Sequence, residues 1–436
     1  MRHPKSDISF AKGLSTVLAI ILFFKISGYF TFTENVAITR VLKVLIRISM
    51  TVWIWLIYRK LVKMGNIPSF KWEHVLAPFF YATYLCLGFA SLLWSTNPGY
   101  SLLQLSMNAE SFVFAFLFLK TFVLLRAYYP EANIRFSSMM SWAVFFVLSV
   151  FVIGKYIDPD TFYRLTHGGE EARLGGYLMN PNELGMLAVV GISCCLIELT
   201  QTIKKWKIVF IMVIMIYALI LTGSRSSLIG FFLVIFYFVN QSKNSKLKMA
   251  IYVSAFMAIP LIVNTIFIKQ GDIEEVLSMT GRLPFWKALL TEGLPKEPFF
   301  GFGYMRIAYT DTFQSVHTYA GMMTHNTFIQ VLMNLGFVGF SIMVLQLSAT
   351  MRGFFRSKNK LDKAFFIGIL IPIIINSFTE FGIFGESNFG ILFYQLLIWL
   401  FVISFNSKLT PREAIILENK RPEFYKKLIS DTDRSH

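Results

Sequence analysis

The chain has 436 residues and a formal net charge of +16. Hydrophobic residues make up 55% of it, aromatics 17% and charged residues only 15%, against about 25% charged in an ordinary soluble domain. With a mean hydropathy of +0.58, a water-soluble globule could not hide this apolar surface. That excludes a soluble enzyme, a disordered scaffold and a secreted disulfide framework. Cys86, Cys194 and Cys195 all lie in apolar runs, and the adjacent pair is badly placed for a bridge.

A membrane-crossing helix needs about 20 mostly apolar residues. On that criterion twelve spans are predicted, at 13–32, 36–58, 74–94, 102–125, 137–156, 183–200, 206–222, 224–241, 249–268, 326–348, 364–382 and 388–405. The first could pass for a signal peptide, but Lys25 and aromatics follow it where a small-residue cleavage site would stand, so it reads as a retained span. With the N-terminus placed inside, 27 basic residues fall on inner segments and 8 on outer ones. The positive-inside rule therefore puts both termini in the cytoplasm, and the basic surplus reads as a topology signal with no nucleic-acid partner. The expectation is an all-α integral membrane protein, a single polytopic domain over residues 1–436, with a basic cytoplasmic tail at 407–436.

Two outer connections are long, Ile157–Asn182 and the segment Lys269–Thr324. The loop at 269–324, between spans nine and ten, contains helix-compatible stretches at Ile273–Met279 and Leu283–Glu292, then the tract Pro298-Phe299-Phe300-Gly301-Phe302-Gly303-Tyr304. Long structured connections are more often functional than decorative. The aromatic tract either offers stacking faces to sugar rings or rests on the bilayer interface.

Even-numbered spans enter from outside, so their positive dipole ends face outward. Span six opens Asn180-Pro181-Asn182-Glu183, with Asn180 as a helix cap and Arg173 shortly before it. Span eight opens Gly223-Ser224-Arg225-Ser226-Ser227, with Ser224 as cap, and span ten opens Thr324-His325-Asn326-Thr327. Helix starts with free N–H groups beside arginines form a ready anion site, and several together would suit a diphosphate. Caps at a headgroup boundary are the plainer reading. Arg225 argues against it, because a cation is least favoured in a first turn and needs an anionic partner within the membrane. His325, beside a positive dipole end, is biased toward the neutral form that accepts a proton. Arg282 opens the amphipathic stretch Gly281-Arg282-Leu283-Pro284-Phe285-Trp286.

Arg40, Lys43 and Arg47 form a stripe on span two and, with Lys25, either attract a lipid diphosphate or lie in the interface. Glu110, Glu380 and Glu386 are the membrane-associated acids, each an acid/base or pairing candidate. Asp158-Pro159-Asp160 reads as a turn. Zinc spacings, nucleotide-phosphate loops and dinucleotide fingerprints are absent from the sequence, so neither metal nor cofactor is expected.

The series Leu221-Thr222-Gly223-Ser224-Arg225-Ser226, Thr280-Gly281-Arg282, Trp286, Gly301-Phe302-Gly303-Tyr304 and His325-Asn326, running into Leu335-Gly336-Phe337-Val338-Gly339, resembles the bacterial O-antigen ligase and polysaccharide polymerase superfamily. Leu93-Trp94-Ser95 and Met179-Asn180-Pro181-Asn182-Glu183 are similar as well. The resemblance implies a GT-C-like, metal-independent, inverting glycosyltransferase at the periplasmic face of the inner membrane. Its donor would be a glycan on undecaprenyl diphosphate. Its acceptor would be another lipid-linked repeat unit in a polymerase, or the lipid A core in a ligase. Carried over by position, Arg225 and Arg282 hold the diphosphate and His325 is the base. Arg173, Asn180, Asn182, Ser224, Asn326 and Arg47 are the substrate-binding candidates. Membrane lipids, a flippase and a chain-length regulator are the implied partners. The phrasing around Thr280–Trp286 and Gly301–Tyr304 is closer to exopolysaccharide polymerases. A transporter of lipid-linked sugars is the rival, but its charges should lie near the midplane of repeated halves, and no repeat is visible.

Overall fold

Asparagine and serine punctuate the chain where its apolar runs begin, and these residues decide where helices start. Asn97, Asn180, Ser224, Asn326, Asn359 and Asn388 each accept a backbone N–H from the first turn of the helix that follows. Pro98 and Pro181 supply first helical positions that need no N–H partner. The computed structural model describes residues 4–63, 74–166, 171–202, 205–242, 245–262, 282–304, 324–357, 359–380 and 382–403. Within it run α1 (Pro4–Ser27), α2 (Val36–Lys63), α3 (Leu76–Ala90), α4 (Pro98–Tyr128), α5 (Phe136–Ile157), α6 (Pro181–Leu199), α7 (Lys205–Thr222) and α8 (Arg225–Gln241). They are followed by α9 (Ser245–Ile262), the short α10 (Arg282–Ala288), α11 (Thr327–Arg356), α12 (Lys360–Ser377) and α13 (Phe389–Val402).

Apart from α10, each of these helices overlies one of the predicted spans. Among the described residues eight are long and apolar enough to cross a membrane, and α8 and α13 are shorter apolar helices. The protein is an all-α integral membrane protein. The connection after α5 also holds an antiparallel hairpin, β1 (Tyr163–Thr166) with β2 (Glu171–Leu174), which pairs Arg164 with Arg173 in register. No strand was expected there. Asp158 caps a single helical turn over Pro159–Phe162, so the Asp-Pro-Asp sequence is the turn it was read as. Residues 263–281, which include all of Ile273–Met279 and the end of predicted span nine, 305–323 and 404–436, which include the tail, lie outside the described residues.

Of the eight helices long enough to cross a membrane the most enclosed is α6, which packs on α5, α7, α8 and α12. Small residues permit this approach. A side chain at Gly185 would collide with Ser227 and Ser224 of α8, and one at Gly191 with Val144 and Met215. The start of α6 is thereby held against the start of α8.

The cationic stripe on α2 divides. Arg47 turns inward, donating to Met107 O (2.6 Å) and Ser111 Oγ (2.8 Å), with its guanidinium 4.3 Å from the Tyr29 ring centre. Lys25, fully buried on α1, pairs with Glu110 and donates to Arg47 O and Thr51 Oγ1. Glu110 also faces Arg47 at 3.5 Å. A charge inside a membrane protein must be matched, and here one carboxylate matches two cations. Removing one member of a buried pair typically costs about 3–5 kcal/mol, because the other charge stays buried. Glu110→Gln keeps the shape and removes the charge. It is expected to lower the unfolding midpoint of the detergent-solubilised protein strongly, and an unchanged midpoint would show that Glu110 does not compensate these cations.

α11 is interrupted. Gly336 takes φ 60° and ψ −161° within it. Into the break runs the tract after Pro298: Phe302 N and Gly303 N donate to Met333 O and Asn334 O, while Phe337 N and Val338 N donate to Pro298 O and Phe299 O. An interrupted helix frees carbonyls and N–H groups that must find partners in a membrane protein, and the tract supplies them. Tyr304 then anchors the tract, receiving Asn108 Nδ2 (2.7 Å) and donating to Gly385 O (2.8 Å). Tyr304 is therefore a buried structural residue, neither a sugar platform nor an interface anchor, whereas Phe299 and Phe300 remain exposed.

Candidate active site

After α12 the chain makes a tight turn in which Thr379 N and Glu380 N both donate to Asn376 O. The turn delivers Glu380 to the end of the bundle where α6, α8, α10 and α11 begin. Its carboxylate is buried, 6% exposed, and three segments distant in sequence converge on it. Oε1 accepts from Asn182 Nδ2 at 2.9 Å and from Arg282 Nη2 at 3.4 Å, and Oε2 lies 2.7 Å from His325 Nδ1. Arg282 also donates to Thr379 O at 2.6 Å, which fixes the guanidinium beside the turn. Burial alone would push the Glu380 carboxyl up. The hydrogen bond and charge of His325, with the Arg282 charge and the Asn182 amide, outweigh burial and hold it below the usual carboxylate range.

Asn182 extends the network. Its Oδ1 accepts from Arg173 Nη2 at 2.8 Å, and Arg173 Nε donates to Thr222 O at 2.7 Å, at the carbonyl end of α7 where a cation is favoured. Gly223, at φ 56°, lies under the Arg173 side chain; a methyl there would stand 3.4 Å from Nε. The left-handed turn at Gly223 ends α7 and lets α8 begin at once with Ser224 as cap. Ser227 Oγ donates to Asn182 O at 3.1 Å, and Ser226 Oγ to Asn376 at 3.5 Å. Arg225, half-buried in that first turn, is thus flanked by residues in contact with both the Asn182 and the Asn376 segments.

His325 precedes the helix start and does not itself cap it. It has φ 50°, and Asn326 is the cap, its Oδ1 accepting from Phe328 N and Ile329 N. Trp286 Nε1 donates to Thr324 O at 2.7 Å, so α10 and the start of α11 are clamped together with Arg282 and His325 on adjoining segments. Thr327 Oγ1 donates to Glu380 O, which closes the ring. The imidazole is 35% exposed while its carboxylate partner is nearly sealed. The histidine therefore has one nitrogen fixed by protein and the rest of its ring accessible.

The sequence-named candidates sort by place. Arg173, Asn182, Arg282 and His325 meet in one network, and Arg225 opens the adjacent helix. Asn180, Ser224 and Asn326 are held by capping bonds at the same end. Arg47, with Lys25, lies in the separate Glu110 network, so its candidacy as a substrate ligand has no geometric support here. Arg40 and Lys43 remain near the site: Arg40 lies over the Tyr100 ring, and Glu183 and Glu386 are within electrostatic reach of Lys43. Glu386 accepts from Tyr100 OH and Gln104 Nε2. The sequence named Glu380 only as one of three acids, yet it is the hub. The signal was present, since an acid at the end of an apolar run must be paired.

A cationic cluster with a carboxylate-held histidine at helix starts is suited to binding an anion and accepting a proton beside it. Residues 210–344 match the O-antigen ligase family model. This stretch runs from within α7 into α11 and carries Arg225, Arg282 and His325, in support of the O-antigen ligase and polymerase superfamily. Arg173, Asn182 and Glu380 lie outside the matched stretch and are brought to it by the fold. No curated protein matches the chain.

Proposed function

We propose that the protein is a GT-C-like glycosyltransferase of the bacterial inner membrane, active at its periplasmic face, that moves a glycan from undecaprenyl diphosphate to an acceptor sugar hydroxyl. The observation that carries this reading is the His325–Glu380–Arg282 cluster at 2.7 and 3.4 Å, joined through Asn182 to Arg173. With the Nδ1 hydrogen donated to Glu380, His325 Nε2 presents a lone pair to the acceptor hydroxyl. The hydroxyl oxygen attacks the anomeric carbon, its proton passes to Nε2, and the bond from that carbon to the diphosphate oxygen breaks. Arg282, Arg173 and Arg225 take up the charge that develops on the departing diphosphate. One displacement inverts the anomeric centre, and neither metal nor cofactor is required by this scheme.

The acceptor we favour is a second lipid-linked repeat unit, which makes the protein a polymerase that takes chains from a flippase and works with a chain-length regulator. The family description favours the other reading, transfer to the lipid A core. Purified protein in nanodiscs, given polyprenyl-diphosphate-linked repeat units with and without core lipid and without divalent metal, separates them. Lengthened lipid-linked chains without core lipid mark a polymerase, and product only with core lipid marks a ligase. Arg282→Ala and Arg225→Ala are each expected to cost about 10²–10³-fold in rate, as loss of a charge-stabilising donor does. Full activity in both would refute the site.

A further inference from the structure

The membrane-facing sides of α1 and α5 part to leave a groove of about 950 Å³. Ile20 and Phe24 line it from α1, and Trp142 and Phe146 from α5, the last two stacked with ring centres 5.6 Å apart. The end near the start of both helices differs in chemistry, being lined by Lys12, Asn133 and Arg135. Arg135 is matched by Glu198 at 3.0 Å, which Ser137 also contacts. Lys12 is exposed and has no side-chain partner among the described residues. Among the described residues Lys12 is thus the uncompensated positive charge at the mouth, and the deeper part of the groove is hydrocarbon and aromatic.

We propose that this groove is a binding site for one anionic phospholipid, with an acyl chain along Ile20, Trp142 and Phe146 and the phosphate at Lys12, Asn133 and Arg135. Three observations agree on this occupant. The apolar walls favour a hydrocarbon chain over water. From Lys12 to Phe24 the groove follows α1 for about 18 Å at 1.5 Å per residue, close to the depth of one leaflet of a bilayer with a core about 30 Å thick. The unmatched Lys12 at the headgroup end calls for net negative charge, which a zwitterionic lipid does not supply. None of the groove residues belongs to the Glu380 network, so this lipid is distinct from the substrate proposed above.

Trp142 makes the site observable. The full-length protein is reconstituted with chain-brominated phosphatidylglycerol or chain-brominated phosphatidylcholine, and the Trp142 contribution is the difference between wild type and Trp142→Phe. Quenching of that contribution is expected at lower mole fractions of phosphatidylglycerol, with the preference reduced about fivefold in Lys12→Gln, as about 1 kcal/mol for one lysine converts. Native mass spectrometry of wild type and Lys12→Gln in detergent gives an independent reading, with less phosphatidylglycerol retained by Lys12→Gln than by wild type. Equal quenching by the two lipids, no quenching of Trp142, or unchanged retention in Lys12→Gln would each overturn the proposal.

Discussion

Glu380→Gln is expected to lower the transfer rate by about 10²–10⁴-fold, close to the loss from His325→Ala, and the double variant to be scarcely worse than either. The reason is geometric. Glu380 Oε2 is 2.7 Å from His325 Nδ1, so the carboxylate fixes which nitrogen carries the hydrogen and which faces the acceptor. An amide in its place can present its NH₂ to Nδ1 and turn the ring into the wrong tautomer, as well as withdrawing the charge that stabilises the imidazolium formed in the reaction. If Glu380 acts through His325, the two losses share one cause and cannot add. Additive losses would mean that Glu380 serves Arg282 or Arg173 instead. The same variant alters the acid limb of stability. A carboxyl held below its ordinary value contributes stability that is complete above the unfolded value of about 4.3 and is lost as pH falls through the folded one. Wild-type thermal stability should therefore drop on acidification below about pH 4 more steeply than that of Glu380→Gln, and parallel acid profiles would contradict the network.

What the sequence made legible was local. Apolar runs, their Asn and Ser caps and the prolines after them give the helices, because these signals act within a turn of where they are written. The stripe of Arg40, Lys43 and Arg47 fixed a helix face but could not show what covers it. Glu110, on α4, claims Arg47 and Lys25 and leaves Arg40 and Lys43 to the Tyr100, Glu183 and Glu386 side. Glu380 was hidden for the same reason. Its partners, Asn182, Arg282 and His325, lie 55 to 198 residues away, beyond any periodicity. The hairpin after α5 escaped because strands of four residues, one of them Glu-Ala-Arg-Leu, carry too short an alternation to be read. The Gly301-Phe302-Gly303 tract was noticed for its rings, while the structure uses its backbone.

That backbone role sets the second large effect. Gly336→Ala is expected to abolish transfer and sharply reduce the folded yield, whereas Gly353→Ala, later in the same helix, is expected to be far milder. Gly336 holds φ 60° and ψ −161°, a conformation nearly confined to glycine and costing other residues about 1–3 kcal/mol. An added methyl would also stand 2.3 Å from the carbonyl carbon and oxygen of Phe299. Both are backbone atoms of the tract that satisfies the broken helix, so neither can swing aside. Moving them breaks the bonds from Phe337 and Val338 to Pro298 and Phe299 and leaves backbone groups unpaired within a membrane helix. At Gly353 the nearest atoms belong to the His74 and Phe401 rings, 3.6 and 3.7 Å from the added methyl, which is ordinary van der Waals contact. The consequence reaches the site because the half of α11 before the break carries His325 at its start and is clamped to α10 through Trp286 and Thr324. Unfolding midpoints and transfer rates of the two variants decide the matter. A Gly336→Ala protein with wild-type midpoint and rate would mean that the interrupted helix does not hold the histidine in place.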